Sequence, residues 1–142
     1  MGRTGETLES IDFLELEEVI EINRRMIAAY GGIFFEGDDN LANPGSLMYV
    51  LEAIQGSLFG HCLYPTVIAK AAALAWRIIK LHIFHDGNKR TGMESCRLML
   101  DLNGYVMRID KKVVDTAIQI DGCSVSVADF IDWVEARVAK SV

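Results

Sequence analysis

Apolar side chains recur three and four residues apart from about Ile11 to Tyr30. Leu16, Val19, Ile20, Met26 and Ile27 mark one face, with Glu15, Glu18, Arg24 and Arg25 between them. That period predicts an amphipathic helix, with Ser10 or Asp12 as its cap and Gly31–Gly32 as its stop. From Ile33 to Pro44 no period survives. A loop of about a dozen residues is long for a compact domain and often marks a lid or docking segment. Phe34 and Phe35 make it unusually apolar. Either they tuck into the core, the usual fate of large aromatics, or they form an exposed edge that receives a partner. The helical pattern resumes from Pro44 to Gln55, with Asn43 as cap, Pro44 at the first helical position and Gly56 as stop.

Ser57 to Tyr64 reads as a connection. Pro65 then opens a longer helix, TVIAKAAALAWRIIKL, which ends near His82 to Phe84. Its alanines allow close helix packing and suit a central position. Another helix runs through NKRTGMESCRLMLDL and stops at Asn103–Gly104, a good left-handed cap pair. Tyr105 to Ile109 is a candidate short extended piece. Asp110 caps KKVVDTAIQI, Asp121–Gly122 makes a turn, and Ser126 with Asp129 resembles a capping box for DFIDWVEARVAK. Six or so helices with little sheet, and no repeat, low-complexity tract or linker, predict one all-α domain over residues 1–142.

A chain of 142 residues is long enough to bury a real core. Its formal net charge of −6 argues against nucleic acid as the main partner, because non-specific binders of DNA or RNA are usually basic. Cys62, Cys96 and Cys123 are odd in number and lack CxxC spacing, so neither a disulfide framework nor a zinc site is indicated. Buried or idle thiols are the ordinary reading. The opening MGRTGETLES has no apolar signal core. The longest apolar region, around Ala69 to Leu81, is interrupted by Lys70, Arg77 and Lys80 and is too short to span a bilayer. The expectation is a cytoplasmic protein in a reducing compartment, with no membrane partner.

Against this apolar, helical background one stretch stands apart: Leu81 to Thr91, LHIFHDGNKRT. It lies where one predicted helix ends and the next begins. A helix N-terminus presents free N–H groups and partial positive charge, a natural anion site. Gly87 lets backbone approach a phosphate closely. Lys89 adds a point charge, and Arg90 can fork onto two phosphate oxygens. Asn88 can orient a phosphate oxygen or a metal-bound water. Asp86 offers a hard oxygen ligand of the kind magnesium takes beside phosphates and water. An imidazole such as that of His82 suits a general base that takes a proton from an attacking hydroxyl. Phe84 between them is assigned a packing role. Singly, each has an ordinary reading as a cap, a turn or a solvated face. Together within nine residues they make a phosphate-handling site. His61 and His85 lack such partners and receive no role.

The run HIFHDGNKR resembles the signature of the Fic/Doc family, HxFx(D/E)GN-(G/K)-R. The small size, the Tyr30–Gly31–Gly32 end of the first helix and the Asn103–Gly104 stop are similar to its Doc branch. The resemblance implies an all-helical fold whose active-site loop joins two central helices. It implies ATP with Mg2+ as donor and a protein hydroxyl as acceptor. His82 would be the base, Asp86 the metal ligand, and Gly87, Asn88, Lys89 and Arg90 the phosphate site, with His82, Asp86 and Arg90 as the catalytic set.

Two positions depart from the adenylylating branch. It has glycine where this chain has Lys89, and it commonly has a second arginine where this chain has Met93. Both match Doc, which transfers the γ-phosphate with the nucleotide reversed and targets elongation factor Tu. One departs from Doc, which has alanine at the position of Gly87. The inhibitory pattern (S/T)xxxE(G/N) of many Fic proteins is missing. Glu36–Gly37 is the one Glu followed by Gly or Asn, and Gly32 stands at its Ser/Thr position. Restraint is therefore expected from a separate antitoxin protein. Three readings remain open: a Doc-like toxin acting as a protein Ser/Thr kinase, a Fic-type adenylyltransferase, and a non-catalytic binding module on the same fold.

Overall fold

The alanine-rich segment forms the axis of the molecule. The computed structural model describes residues 11–58 and 61–141. Its helices are α1 (Leu16–Tyr30), α2 (Ser46–Gln55), α3 (Val67–Lys80), α4 (Asn88–Leu102), α5 (Lys111–Asp121) and α6 (Val127–Arg137). Helix α3 packs most extensively on α4, then on α6, with α2 and α5 against its remaining sides. Ala71, Ala72, Ala73, Leu74, Ala75, Ile78 and Ile79 are fully buried, so α3 is apolar nearly all round, as a core helix must be. Two short antiparallel pairs complete the fold: β1 (Ser57–Leu58) with β2 (His61–Cys62), and β3 (Tyr105–Val106) with β4 (Ala139–Lys140). The all-α expectation holds, and the first pair lies in the predicted connection.

Lys70 breaks the apolar run in sequence but not in space. It is 1% exposed, and its Nζ donates to the carbonyls of Ile54 at 3.0 Å and Tyr64 at 2.6 Å. Ile54 lies in the last turn of α2, where orphan carbonyls and the negative end of the helix dipole attract a cation. The lysine thus seals one helix end from within the core. On the far side, Trp76 Nε1 donates to Val125 O at 2.9 Å and pins α3 to the turn before α6.

The helix caps correct several expectations. Helix α1 starts after Glu15, whose N–H is taken by the Glu18 carboxylate at 2.8 Å. Asp12 does not cap it; its N–H goes instead to Asn103 Oδ1 at 2.8 Å, and Ser10 lies outside the described residues. Asn103 also donates to Asp12 O and Met99 O, so the predicted stop of α4 ties down the approach to α1 as well. Helix α2 begins at Ser46, not at Pro44, because Gly45 sits at φ 92, outside the helical region. Asn43 contributes only its carbonyl, to Ser46. Thr66, Asp110 and Ser126 cap α3, α5 and α6 through their side chains. Helix α6 ends at Arg137, where the predicted helix continued to Lys140. Val138 turns extended, and the last residues pair with β3 instead.

Cys96 is buried and its thiol is pushed up to about 12 by desolvation, an inert core residue as expected. Cys123 is exposed. Among the described residues no helix is long and apolar enough to cross a membrane.

The α3–α4 contact leaves no room for a side chain at Gly92. A Cβ there would lie 2.8 Å from Ile79 Cγ1 and 3.0 Å from the Ala75 carbonyl. Gly92→Val is therefore expected to lower unfolding free energy by about 1–3 kcal/mol through overpacking, measured by urea denaturation.

Candidate active site

The loop from α3 to α4 begins with a strained histidine. His82 N–H bonds Ile79 O at 3.3 Å and Ile83 N–H bonds Ile78 O at 3.2 Å, which closes the end of α3. This pairing places the residue between them in the left-handed region, a position usually held by glycine. His82 occupies it at φ 49. A side chain there costs about 1–2 kcal/mol relative to a right-handed conformation, and strain of this kind collects at functional sites. The next residues anchor the turn. Ile83 and Phe84 are 1% exposed, which gives Phe84 its expected packing role. The Asn88 side chain clasps the Phe84 backbone, accepting its N–H and donating to its carbonyl, both at 2.8 Å. Asn88 is thus the loop's brace, and its backbone N–H is what it can offer an anion.

Asp86 faces the chain that leaves α1. Its Oδ2 accepts Ile33 N–H at 3.1 Å and its Oδ1 accepts Gly87 N–H at 2.9 Å. A Cβ on Gly32 would sit 2.7 Å from Oδ2, so the glycine after α1 makes room for this carboxylate. Gly87 follows at φ 77 as the cap of α4. Its backbone packs so closely on α1 that a Cβ would meet Asn23 Nδ2 at 3.0 Å. Helix α4 then presents the N–H groups of its first turn, from Asn88, Lys89 and Arg90, to the outside.

Asn23 holds this arrangement together. It is fully buried on the apolar face of α1. Its Nδ2 donates to Asp86 O at 2.9 Å and to Thr91 Oγ1 at 3.0 Å, and its Oδ1 accepts from Asn40 Nδ2 at 2.9 Å. Asn40, also buried, accepts Phe35 N–H through Oδ1 and His85 N–H through its carbonyl. Two asparagines therefore fasten α1, the 34–41 loop and the motif to one another.

The cationic residues face solvent. Lys89 Nζ lies 3.4 Å from Asp121 Oδ2, and Arg90 stacks on Tyr30 with its guanidinium carbon 3.9 Å from the ring centre. Both line a cavity of about 410 Å³ between α1, α4 and α5, with Met26, Tyr30, Met93, Val113, Ala117 and Ile118 among its apolar walls. Asp121, at the end of α5, reaches His82 as well, with Oδ1 2.5 Å from Nε2. The His82 contact, chiefly, and the Lys89 charge hold the Asp121 carboxyl below the usual carboxylate range, partly opposed by desolvation.

A family model for the Fic/DOC family matches residues 13–100. The chain belongs to the Fic/DOC family. It is 30% identical over 89 residues to "Toxin Doc" of Mycolicibacterium smegmatis, covering 63% of this chain and 68% of that protein. It is 27% identical over 119 residues to "Protein kinase doc" of Escherichia phage P1, covering 82% of this chain and 87% of that protein.

The Fic/DOC motif residues thus fall on two flanks of one turn. His82 and Lys89 meet at Asp121 on the α5 side, while Asp86 faces the α1 side. Gly87 and the first turn of α4 lie between. Sequence reasoning missed Asn23, Asn40, Tyr30 and Asp121. Asn23 left one trace, a polar residue among Val19, Ile20, Ile22 and Ile27 on a buried face. Asp121 left none, since it reads as half of an Asp–Gly turn. Phe34 and Phe35 part ways in burial. Phe34 is partly buried beneath Arg24, and Phe35 is exposed against His85. Among the described residues no three His, Cys, Asp or Glu side chains converge as a metal cage.

Asn23→Ala leaves the buried Asn40 amide without its partner. It is expected to cost about 1–3 kcal/mol of stability. Amide exchange should accelerate most at Gly87 to Thr91, and acceleration spread evenly over the chain would contradict the bracing role.

Proposed function

We propose that the chain is a Doc-type toxin that transfers the γ-phosphate of ATP to a Ser or Thr hydroxyl of a translation protein, with elongation factor Tu as the expected target. The observation that carries this reading is the cation pattern of α4. Lys89 stands in its first turn beside Asp121, and position 93, where the adenylylating branch commonly has its second arginine, is a methionine only 3% exposed in the cavity wall. The names of its relatives, a toxin and a protein kinase, point the same way.

Phosphoryl transfer asks a protein mainly for positioning and charge stabilisation. The N–H groups of α4 and the charges of Lys89 and Arg90 would hold the phosphates. The acceptor oxygen attacks the γ-phosphorus, the bond to the departing ADP breaks, and His82 takes the hydroxyl proton. Asp86 fits a magnesium ion. Its carboxylate is exposed, and each oxygen keeps lone pairs beyond the single backbone N–H it accepts. The ion, when bound, neutralises charge on the phosphate oxygens. Restraint would come from a separate antitoxin protein, whose apolar side chains suit the cavity beside Lys89 and Arg90. The reading places the protein in the cytoplasm, where ATP and the translation apparatus are.

Adenylylation is the second reading. Gly87 favours it, since Doc has alanine there and this backbone leaves a Cβ only 3.0 Å from Asn23. Cell extract incubated with labelled ATP separates the two. Protein label from the γ position and none from the α position is expected, and the reverse supports adenylylation. Failure of the purified chain to bind ATP would favour the third reading, a non-catalytic binding module. His82→Gly relieves the left-handed strain, so its stability should stay level or rise by about 1 kcal/mol. Transfer should fall by about 10²–10⁴. Full transfer by this variant would remove His82 as the base.

A further inference from the structure

Asp121 lies outside the family motif and across the molecule from it in sequence, yet it contacts two motif residues. Its position is electrostatically awkward. It ends α5, where the helix dipole already concentrates negative charge. The carbonyls of Ile118, Gln119 and Ile120 near the end of α5 accept the N–H groups of Gly122, Ser124 and Cys123. The carboxylate caps nothing. It points instead at His82 Nε2 and Lys89 Nζ, one oxygen to each. The same two chain segments touch again where Lys80 Nζ meets Cys123 Sγ, so residues 80–82 and 121–123 form one local seam. The groups that face the carboxylate across it are His82 and, from α4, Lys89, while Lys80 is engaged by Cys123.

We propose that Asp121 is a positioning residue for His82, fixing the proton on Nε2 so that Nδ1 is the basic nitrogen. An ionised carboxylate only accepts, so the nitrogen it faces must carry the hydrogen. The imidazole ring is otherwise loosely held. Its side chain is 62% exposed, and no other side-chain partner of it is found among the described residues. The backbone of the turn fixes where the ring is attached, and Asp121 fixes which way it faces and which nitrogen is free. Its second oxygen keeps Lys89 beside the same ring, which places the proton acceptor and a phosphate-binding cation at a set separation. The catalytic use of this pairing rests on the transferase reading above.

Nitrogen NMR of the His82 ring in the ligand-free protein, at mildly alkaline pH, reads the tautomer without any need for activity. The native chain should show hydrogen on Nε2, and Asp121→Ala should shift the ring to a mixture. In transfer assays Asp121→Ala should lower kcat by about tenfold or more, within the ~10²–10⁴ that a general base contributes in all. The KM for ATP should stay within about twofold, because only the reacting step is affected. Asp121→Glu should recover part of the loss. In a His82→Ala background Asp121→Ala should add nothing, since it acts through the ring. Thermal melts of each variant separate these effects from unfolding.

Hydrogen on Nδ1 in the native chain, or a tautomer unmoved by Asp121→Ala, would overturn the proposal. So would a rise in kcat, which would mean the carboxylate blocks the working nitrogen. A change confined to KM would assign Asp121 to Lys89 and the nucleotide instead. Native protein that shows the Nε2 tautomer but transfers neither label would sink the transferase reading and the catalytic use of the pair, while the pairing itself would stand.

Discussion

A buried asparagine is the constraint on which the site depends. Asn23 sits where an aliphatic residue would otherwise complete the inner face of α1, and it spends its amide on Asp86, Thr91 and Asn40. Unpaired, such an amide costs folding free energy; fully paired in a dry interior, it holds its partners in one arrangement. The motif turn follows from this. With Asp86 O and Thr91 fixed to α1, Gly87 passes close to the helix, where an added Cβ would lie 3.0 Å from Asn23 Nδ2 and the amide would have to give way. The first turn of α4 is thereby set with its N–H groups outward.

Around this neutral frame the charges are arranged in open air. His82, Asp86, Lys89 and Arg90 are all exposed. Each is nonetheless held: His82 and Lys89 by Asp121, Asp86 by two backbone N–H groups, Arg90 by the face of Tyr30. These contacts are worth little as stability, because exposed ion pairs are screened and mobile. Their effect is on direction. They narrow the directions each side chain can take, which leaves less ordering to be done by anything that binds there.

The helices were legible in the chain because each buries one face, and a buried face leaves a period. Helix α4 begins and ends where its sequence predicts. The misplacements share a cause. Pro44 and Asn43 read as a helix start, but Gly45 adopts a backbone angle that no local pattern announces. Val138 to Lys140 continue the helical period of α6, but Tyr105 and Val106 offer strand pairing from a distant part of the chain. Lys70 reads as a break in an apolar helix and proves to be inside, because a carbonyl-rich helix end from α2 lies against it.

The sequence by itself determined the chemistry available at the motif: a proton acceptor, a carboxylate, a flexible glycine and two cations around a helix N-terminus. It did so because those residues are contiguous, and contiguity alone puts them on one turn. Tertiary structure decided what that turn rests on and which way its groups point. Asn23 meets Asp86 across 63 positions of the chain, and Asp121 meets His82 across 39 and Lys89 across 32, while Asn40 accepts the His85 N–H from the far side of two helices. Contacts over such separations depend on how whole helices pack, and packing leaves no period in a single segment.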